Sequence, residues 1–189
     1  MDLVLFGIQG SGKGTQAKRL SAEQGYLIFE TGAELRKIAA TGSELGTKVA
    51  SYIDHGHLAP IEIVVEVVKA AVSAVPKDQN LLFDGFPRDH DQMTHFDVMM
   101  QELGRNFTCV HLTMDEDQAL KRIQQRALEQ GRADDANEEF IRRRMGIFKE
   151  KTMPVINAYV QQGKVIEVNG DGTMDEVFER IVEALSVAV

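Results

Sequence analysis

The chain has 189 residues, 43% of them hydrophobic, which suits one α/β domain with a substantial core. A net charge of −8 argues against binding nucleic acid over the whole surface, although a local basic pocket is compatible with it. A single cysteine excludes an intramolecular disulfide and a zinc site of several cysteines. The apolar runs are too short to span a membrane or to form a signal peptide, so we expect a cytoplasmic protein that binds neither membrane nor nucleic acid.

Strands and helices alternate along the chain, which predicts an α/β fold with a parallel sheet and helices on both faces. Five apolar segments are predicted as strands: Leu3–Phe6, Leu27–Phe29, Leu81–Phe83, Phe107–Leu112 and Val165–Val168. The cysteine, Cys109, lies in the fourth of these strands. We expect it to be a small buried core residue rather than a nucleophile.

The first strand runs into a glycine-rich segment that opens a helix, Gly7-Ile-Gln-Gly-Ser-Gly-Lys-Gly-Thr15. Glycines let the backbone curl so that successive N–H groups point inward, and the helix N-terminus adds partial positive charge. This context predicts a nucleotide phosphate site. Lys13 is placed to reach the β- and γ-phosphates, and the Thr15 hydroxyl to face phosphate or magnesium. The predicted phosphate contacts are Gly10, Ser11, Gly12, Lys13, Gly14 and Thr15.

Two segments are poor in core-forming residues and are predicted as mobile excursions from the main domain. The first, Thr31–Ala59, is helical in pattern but rich in glycine and polar residues. The second, Gln125–Asn137, is polar and charged. Helices are predicted in the chain between these two segments and after the second.

Helix signals mark the segments after Pro60 and after Thr173. Pro60 fits the first turn of a helix, because its missing N–H costs nothing there. The residues expected on one face of that helix are Ile61, Val64, Val65 and Val68. Thr173 and Glu176 have the spacing of a capping box. The helix that follows is expected to bury Val177, Phe178, Ile181, Val182 and Leu185.

The Gly-Lys-Gly-Thr form of the phosphate loop, followed by Gln16, resembles the adenylate kinase family of nucleoside monophosphate kinases. Further segments resemble the family in the same order: Thr31-Gly32 with Leu35-Arg36, Asp84-Gly-Phe-Pro-Arg88 with Gln92, then Arg122, Arg126, Gly131-Arg132, Asp134-Asp135, Arg144 and Asn169–Gly172. The resemblance spans essentially the whole chain. It implies one kinase domain, 1–189, with a five-stranded parallel P-loop core, a helical AMP-binding excursion at 30–59 and a short lid at 125–137.

The resemblance also implies the activity and its residues. The expected reaction is ATP + AMP = 2 ADP, catalysed by a monomer whose partners are the nucleotides ATP, AMP and ADP. Phosphoryl transfer gathers negative oxygens, so several fixed cations are needed, and guanidinium forks suit phosphate. The implied catalytic residues are Lys13, Arg88, Arg132 and Arg144. The implied ATP contacts add Arg126 and Gly172 to the phosphate loop. The implied AMP contacts are Thr31, Arg36, His57, Leu58, Ala59, Gly85, Phe86, Pro87, Arg88, Gln92, Arg132 and Arg144.

Metal chemistry is expected at Asp84, which ends a buried strand at the carboxyl edge where open α/β sheets bind ligands. The resemblance makes it a ligand of magnesium-bound water, with Mg²⁺ entering with ATP, whereas the alternative is a turn or helix-capping aspartate. Ala33 stands where the family usually carries an aspartate near the metal waters, so the details of metal ordering stay open. The lid segment contains neither Cys nor His, and we expect no zinc.

Other interpretations remain beside this one. A pyrimidine monophosphate kinase has the same fold, but Thr31 and Gln92 favour AMP, since a glutamine amide can pair with both edges of adenine. A nucleotide-dependent switch does not need this set of arginines. A catalytically dead homologue would be expected to have lost Lys13, Arg88 or Arg132. Arg144 lies in the run Arg142–Arg144, which can also be read as a solvated helix face.

Overall fold

The computed structural model describes residues 1–53, 60–130 and 138–187. Its strands are β1 (Asp2–Gly7), β2 (Leu27–Glu30), β3 (Leu81–Asp84), β4 (Phe107–Thr113) and β5 (Val165–Asn169). Its helices are α1 (Lys13–Gln24), α2 (Thr31–Ala39), α3 (Glu44–Ile53), α4 (Ile61–Ser73), α5 (His90–Glu102), α6 (Glu116–Gln130), α7 (Glu138–Ile147), α8 (Met153–Gln161) and α9 (Met174–Val187). A π-helical turn, Phe148–Thr152, joins α7 to α8. All five predicted strands are confirmed.

The strands form one parallel sheet in the order β2-β3-β1-β4-β5. The central strand β1 is buried along its whole length, as its continuous apolar sequence predicts. Leu5 of β1 lies opposite Asp84 of β3, so the two strands end close together. The predicted α/β fold class is confirmed.

Helices cover both faces of the sheet, because successive strand residues point to opposite sides. On one face, Leu3 and Leu5 pack with α1 and α9. On the other, Val4 and Phe6 pack with α4, α5 and α8. The helices that follow the neighbouring strands β1 and β3 therefore lie on opposite faces. That arrangement opens a crevice at the carboxyl ends of these two strands, where α/β sheets bind ligands.

Helix α4 buries more of its surface than the sequence indicated. Val64 and Val68 face the main core as predicted, but Ile61 and Val65 are only partly buried. Ile63 and Val67 are instead buried in a second cluster. The single-face prediction was wrong because α4 lies between the sheet and the pair α2–α3.

The segment predicted as a polar excursion has a small core of its own. Val49 of α3 is fully buried against Ile63 and Val67 of α4, with partly buried apolar residues of α2 packed around them. The boundaries 30–59 stay a prediction. In the predicted lid segment, residues 125–130 belong to α6, and residues 131–137 lie outside the described part of the chain.

The capping box of α9 is confirmed. The Thr173 backbone N–H donates to Glu176 Oε2 at 2.7 Å, and the Glu176 N–H donates to Thr173 Oγ1 at 3.2 Å. The Thr173 hydroxyl also donates to Glu176 Oε2, at 3.1 Å, and the two hydrogen bonds that Thr173 donates hold the pKa of the Glu176 carboxyl below its ordinary value. Of the predicted apolar face, Val177, Phe178 and Ile181 are buried and the rest packs against them.

An ion pair between Asp2 and Arg105 lies at the edge of the sheet where the strands begin. Arg105 donates from Nε to Asp2 Oδ2 at 2.7 Å and from Nη2 to Asp2 Oδ1 at 2.9 Å. Both side chains are buried, with exposures of 6% and 3%. Asp2 Oδ1 also accepts the N–H of Leu81, and Arg105 Nη2 donates to the carbonyl of Gln79. The starts of β1, β3 and β4 are thereby joined by charge-assisted hydrogen bonds.

Candidate active site

The turn between β1 and α1 has the geometry of a phosphate-binding loop. Gly10 and Gly12 have φ values of 86° and 93°, which side chains of L-residues rarely adopt. A Cβ atom at Gly10 would lie 2.4 Å from the carbonyl oxygen of Ala119, so glycine is required where α6 packs on the loop. The first turn of α1 leaves backbone amides without intrahelical acceptors, and with the helix dipole they form an anion site.

Lys13, the first residue of α1, folds its side chain back over this loop. Its Nζ donates to the carbonyl oxygen of Gly7 and, at 3.2 Å, to that of Ile8. The half-buried ammonium group therefore lies at the carboxyl end of β1. To reach β- and γ-phosphates it must exchange these carbonyls for phosphate oxygens, so its role toward phosphate stays a prediction.

A cavity of about 390 Å³ opens beside the loop, large enough for a small ligand. Its lining comes from the loop, α1, α6 and the segment between β5 and α9: Gly10, Ser11, Gly12, Thr15, Gln16, Arg122, Gln125, Gly170, Gly172, Thr173, Met174 and Val177. Within the described residues, Ser11 Oγ and Gln16 Oε1 are buried without a hydrogen-bond partner. Since buried polar atoms are normally paired, these two are candidates to meet a ligand or a water.

Most of the predicted ATP contacts meet at this cavity. Gly10, Ser11, Gly12, Thr15 and Gly172 all line it. Lys13 and Gly14 lie between them in the first turn of α1. Arg126 belongs to α6, and its side chain is not among those that the structure describes.

The second predicted motif follows β3, on the other side of the crevice. Gly85 has a φ of 85°, and a Cβ there would lie 2.5 Å from Arg88 Nη2. Arg88 curls back over the turn and donates from Nε to the carbonyl of Gly85 at 2.7 Å. Its own carbonyl accepts the buried Thr152 hydroxyl at 2.7 Å, while Phe86 and Pro87 are buried. The turn thus presents an exposed guanidinium on a fixed backbone.

Gln92 is held next to Arg88 by the start of α5. Its Oε1 accepts the Arg88 N–H at 2.8 Å, and its Nε2 donates to Asp89 Oδ2 at 3.2 Å. Asp89 caps the helix by accepting the Gln92 N–H. The amide predicted to read adenine therefore has partners within its own turn, and it would have to share or exchange them to contact a base.

Arg144 lies beside the phosphate loop in the structure. The contact that holds it there could not be predicted from the sequence. With the Gln9 amide oriented so that its oxygen faces the guanidinium, Arg144 donates from Nε and Nη2 to Gln9 Oε1. Its neighbours in the basic run differ, since Arg142 pairs with Glu138 of its own helix and Arg143 is exposed. A role for Gln9 was not predicted, because the phosphate-loop pattern allows any residue at that position.

Two of the predicted AMP contacts, Thr31 and Arg36, lie on α2. Thr31 begins the helix, and its Oγ1 is buried without a partner in the described part of the chain. Arg36 is exposed on the same helix. The predictions for His57, Leu58, Ala59 and Arg132 lie outside the described residues, so their roles stay predictions.

Asp84 ends β3 at the crevice and is half-buried. Nothing among the described residues donates a hydrogen bond to its carboxylate, so its oxygens are available to a hydrated cation. On the other side of β1, β4 contributes His111, whose Nδ1 lies 3.5 Å from Glu167 Oε1. Burial lowers the pKa of His111 despite that carboxylate, which favours an uncharged imidazole.

A parallel five-stranded sheet with a phosphate loop after its central strand, and an arginine-bearing turn after the adjacent strand, defines a P-loop α/β fold of the kinase type. Comparison with known proteins makes this specific. The family model described as adenylate kinase matches residues 5–164. The chain belongs to the adenylate kinase family.

Full-length relatives agree with this assignment. The chain is 40% identical over 186 residues to an adenylate kinase of Maricaulis maris, covering 98% of both chains. It is 39% identical over 189 residues to one of Deinococcus deserti, covering 97% of this chain and 95% of the relative. An adenylate kinase of Bacteroides fragilis is 37% identical over 186 residues, covering 98% of both chains. The predicted family is confirmed.

Within residues 1–53, 60–130 and 138–187, no helix is long and apolar enough to cross a membrane. The same residues contain no group of three or more His, Cys, Asp or Glu side chains arranged to hold a metal ion.

Proposed function

We propose that this protein catalyses reversible phosphoryl transfer between ATP and AMP to give two ADP, and so balances the adenine nucleotides. One observation carries the proposal. The phosphate loop and the Asp84–Arg88 turn follow neighbouring strands on either side of one crevice, so a phosphate donor and a phosphate acceptor can meet there. The family assignment supports the same reaction.

In this reaction a phosphate oxygen of AMP attacks the γ-phosphorus of ATP. A new P–O bond forms, the bond from the γ-phosphorus to the β,γ-bridging oxygen breaks, and ADP leaves on each side. The protein contributes positioning and positive charge. We assign Lys13 and Arg144 to the phosphates at the loop and Arg88 to the AMP phosphate. Arg132 keeps its predicted role at the transferring group as part of the proposal.

Magnesium fits the polar groups at the crevice. The Asp84 carboxylate has no donor partner in the described part of the chain, and the Thr15 hydroxyl is exposed beside the loop. Carboxylate and hydroxyl oxygens are hard ligands of the kind that Mg²⁺ and its waters prefer. When bound with ATP, the ion would neutralise and orient phosphate oxygens. We assign Asp84 to a magnesium-bound water.

AMP rather than a pyrimidine monophosphate is the proposed acceptor. Thr31 carries a buried hydroxyl with no partner in the described residues, and Gln92 offers an amide that can both donate and accept. Adenine presents one donor and one acceptor on its pairing edge, which matches an amide. Thr31 and Gln92 are thus the two residues on which acceptor choice depends.

A coupled assay with magnesium-ATP and each monophosphate in turn tests the proposal. We expect AMP to give the largest kcat/KM, with UMP and CMP at least about a hundredfold lower, because unpaired buried groups penalise the wrong base. Equal rates with UMP or CMP would favour a pyrimidine nucleotide kinase. ATP hydrolysis without an acceptor requirement would contradict phosphotransferase activity altogether.

We further propose that the protein works as a monomer in the cytoplasm with magnesium and without zinc. The single cysteine and the absence of Cys and His from 125–137 support the zinc part of this proposal. Gel filtration with light scattering tests the oligomeric state. Elemental analysis of the dialysed protein tests the metal content, and stoichiometric zinc would contradict it.

A further inference from the structure

The loop between β5 and α9, residues Asn169–Met174, forms one wall of the cavity beside the phosphate loop. A connection of this kind usually leaves some backbone groups to water. Here the N–H groups of four successive residues and the carbonyls of six all have partners within the protein.

The N–H groups are satisfied close to the loop. Gly170 N–H donates to the carbonyl of Thr113 at 2.8 Å, and Asp171 N–H donates to Asn169 Oδ1 at 2.9 Å. Gly172 N–H donates to Asp171 Oδ1 at 3.0 Å. Thr173 N–H donates to the capping carboxylate of Glu176.

Five of the six carbonyls are satisfied by long side chains from three helices. Arg122 of α6 donates to Gly170 and Gly172 at 3.1 Å each. Arg180 of α9 donates to Asn169 at 3.0 Å and to Asp171. The carbonyl of Met174 accepts Gln16 at 3.0 Å and Arg19 at 3.2 Å, both from α1, while that of Thr173 accepts the N–H of Val177 within α9.

These side chains differ in their relation to the cavity. Arg122 and Gln16 line it, so both are able to touch a ligand directly. Arg180 does not line it and reaches the loop from α9. Any effect of Arg180 on a ligand in the cavity must therefore pass through the loop or through its charge.

We propose that Arg180 is a positioning residue that fixes the loop Asn169–Met174 in the conformation that receives the base of ATP. The inference rests on the proposed function, which puts the phosphates of ATP at the phosphate loop and so leaves the adjoining cavity, lined in part by Gly170, Gly172 and Thr173, for its base. Ordering a free loop costs conformational entropy at every residue that it fixes. A loop already held by Arg180 spares the nucleotide that cost, which raises affinity for the part of ATP that touches the loop.

The test compares Arg180→Met, Arg180→Lys and wild type. In Arg180→Met we expect the KM for ATP to rise about fivefold, the effect of a typical lost hydrogen bond, with kcat and the KM for AMP within about twofold. Calorimetry should show the same loss for ATP and none for AMP. Arg180→Lys keeps the charge, but the shorter side chain must replace the single Nη1 that donates to both carbonyls, so we expect an intermediate value.

Arg142→Met is the matched control. Arg142 is an exposed arginine paired with Glu138, at 2.8 Å, on its own helix and not with the loop. The same substitution there should leave the KM for ATP unchanged. A rise equal to that of Arg180→Met would show that general loss of positive charge is responsible.

Inorganic tripolyphosphate, used as a competitive inhibitor against ATP, separates positioning from long-range charge. It has the phosphates of ATP but no base, so its inhibition constant should change less than about twofold in Arg180→Met. If tripolyphosphate weakens as much as ATP, or if ATP binding is unchanged, the inference is wrong. If wild type binds ATP but transfers nothing to AMP, the proposed function fails, and the calorimetric comparison still decides the role of Arg180.

Discussion

The proposed ATP side and the proposed AMP side of the site differ in how far the chain satisfies its own polar groups. On the ATP side, the N–H groups of residues 170–173 and the carbonyls of residues 169–174 are paired, and the unpaired atoms belong to the cavity residues Ser11 and Gln16. On the AMP side, the Thr31 hydroxyl is buried without a partner in the described part of the chain, and the Arg36 side chain is exposed. The loop wall of the proposed ATP side is therefore held by the protein itself, whereas Thr31 and Arg36 on the proposed AMP side have polar groups that a ligand can pair.

The largest expected effect falls on the ATP side, at Lys13. Lys13→Met removes the ammonium group over the phosphate loop while keeping an unbranched side chain. We expect kcat to fall at least about a hundredfold, because one preorganised charge at the transition state contributes about 3 kcal/mol or more. The free energy of unfolding, measured with urea, should change little. Near-normal turnover would show that the loop does not use this charge.

Gln92→Ala probes the AMP side. If the Gln92 amide reads the base of AMP, the KM for AMP should rise about tenfold and the KM for ATP less than about twofold. The Arg88 N–H also loses its acceptor in this variant, so Asp89→Asn serves as a control that disturbs the same turn but leaves the amide. Equal changes for both nucleotides would remove Gln92 from base recognition.

Gln9→Met tests whether the phosphate loop itself positions Arg144. Methionine keeps the length of the side chain but offers the guanidinium no good acceptor. We expect kcat to fall about tenfold with little change in either KM, because a hydrogen bond to a charged group contributes about 1.5 kcal/mol or more. The same substitution should have no further effect in an Arg144→Lys background, where the bidentate contact is already gone. Additive effects in the double variant would refute the coupling.

The smallest effect is expected at Thr31, and it sharpens the contrast between the two sides. Thr31→Val removes a buried hydroxyl that has no partner in the described residues, so the free energy of unfolding should stay level or rise slightly. If AMP supplies the missing partner, its KM should rise about threefold while the KM for ATP does not change. A loss of stability together with an unchanged KM for AMP would place that hydroxyl in the fold rather than in the site.

The sequence predicted what local spacing determines. The phosphate loop and the Asp84–Arg88 turn are continuous segments. Their glycines and charged residues predict a turn that follows a strand and binds a ligand. Each of the two segments follows the strand that was predicted before it. The five strands were likewise predictable, because buried parallel strands are short continuous apolar runs.

Contacts between distant residues could not be predicted. Gln16 and Met174 are 158 positions apart, and Gln9 meets Arg144 across much of the chain. The second buried face of α4 was missed for a similar reason. Its β-branched residues lie all around the helix, and only the position of α3 decides that Ile63 and Val67 are covered.

The ion pair between Asp2 and Arg105 has a consequence for how the chain folds as it is synthesised. β1 is made first but lies at the centre of the sheet, between strands that follow about eighty and a hundred residues later. Until Arg105 has left the ribosome, Asp2 has no cationic partner and β1 lacks a neighbour on its β4 side. The amino-terminal half is therefore expected to remain open during translation, and the sheet to close in a late step that joins residues far apart in sequence.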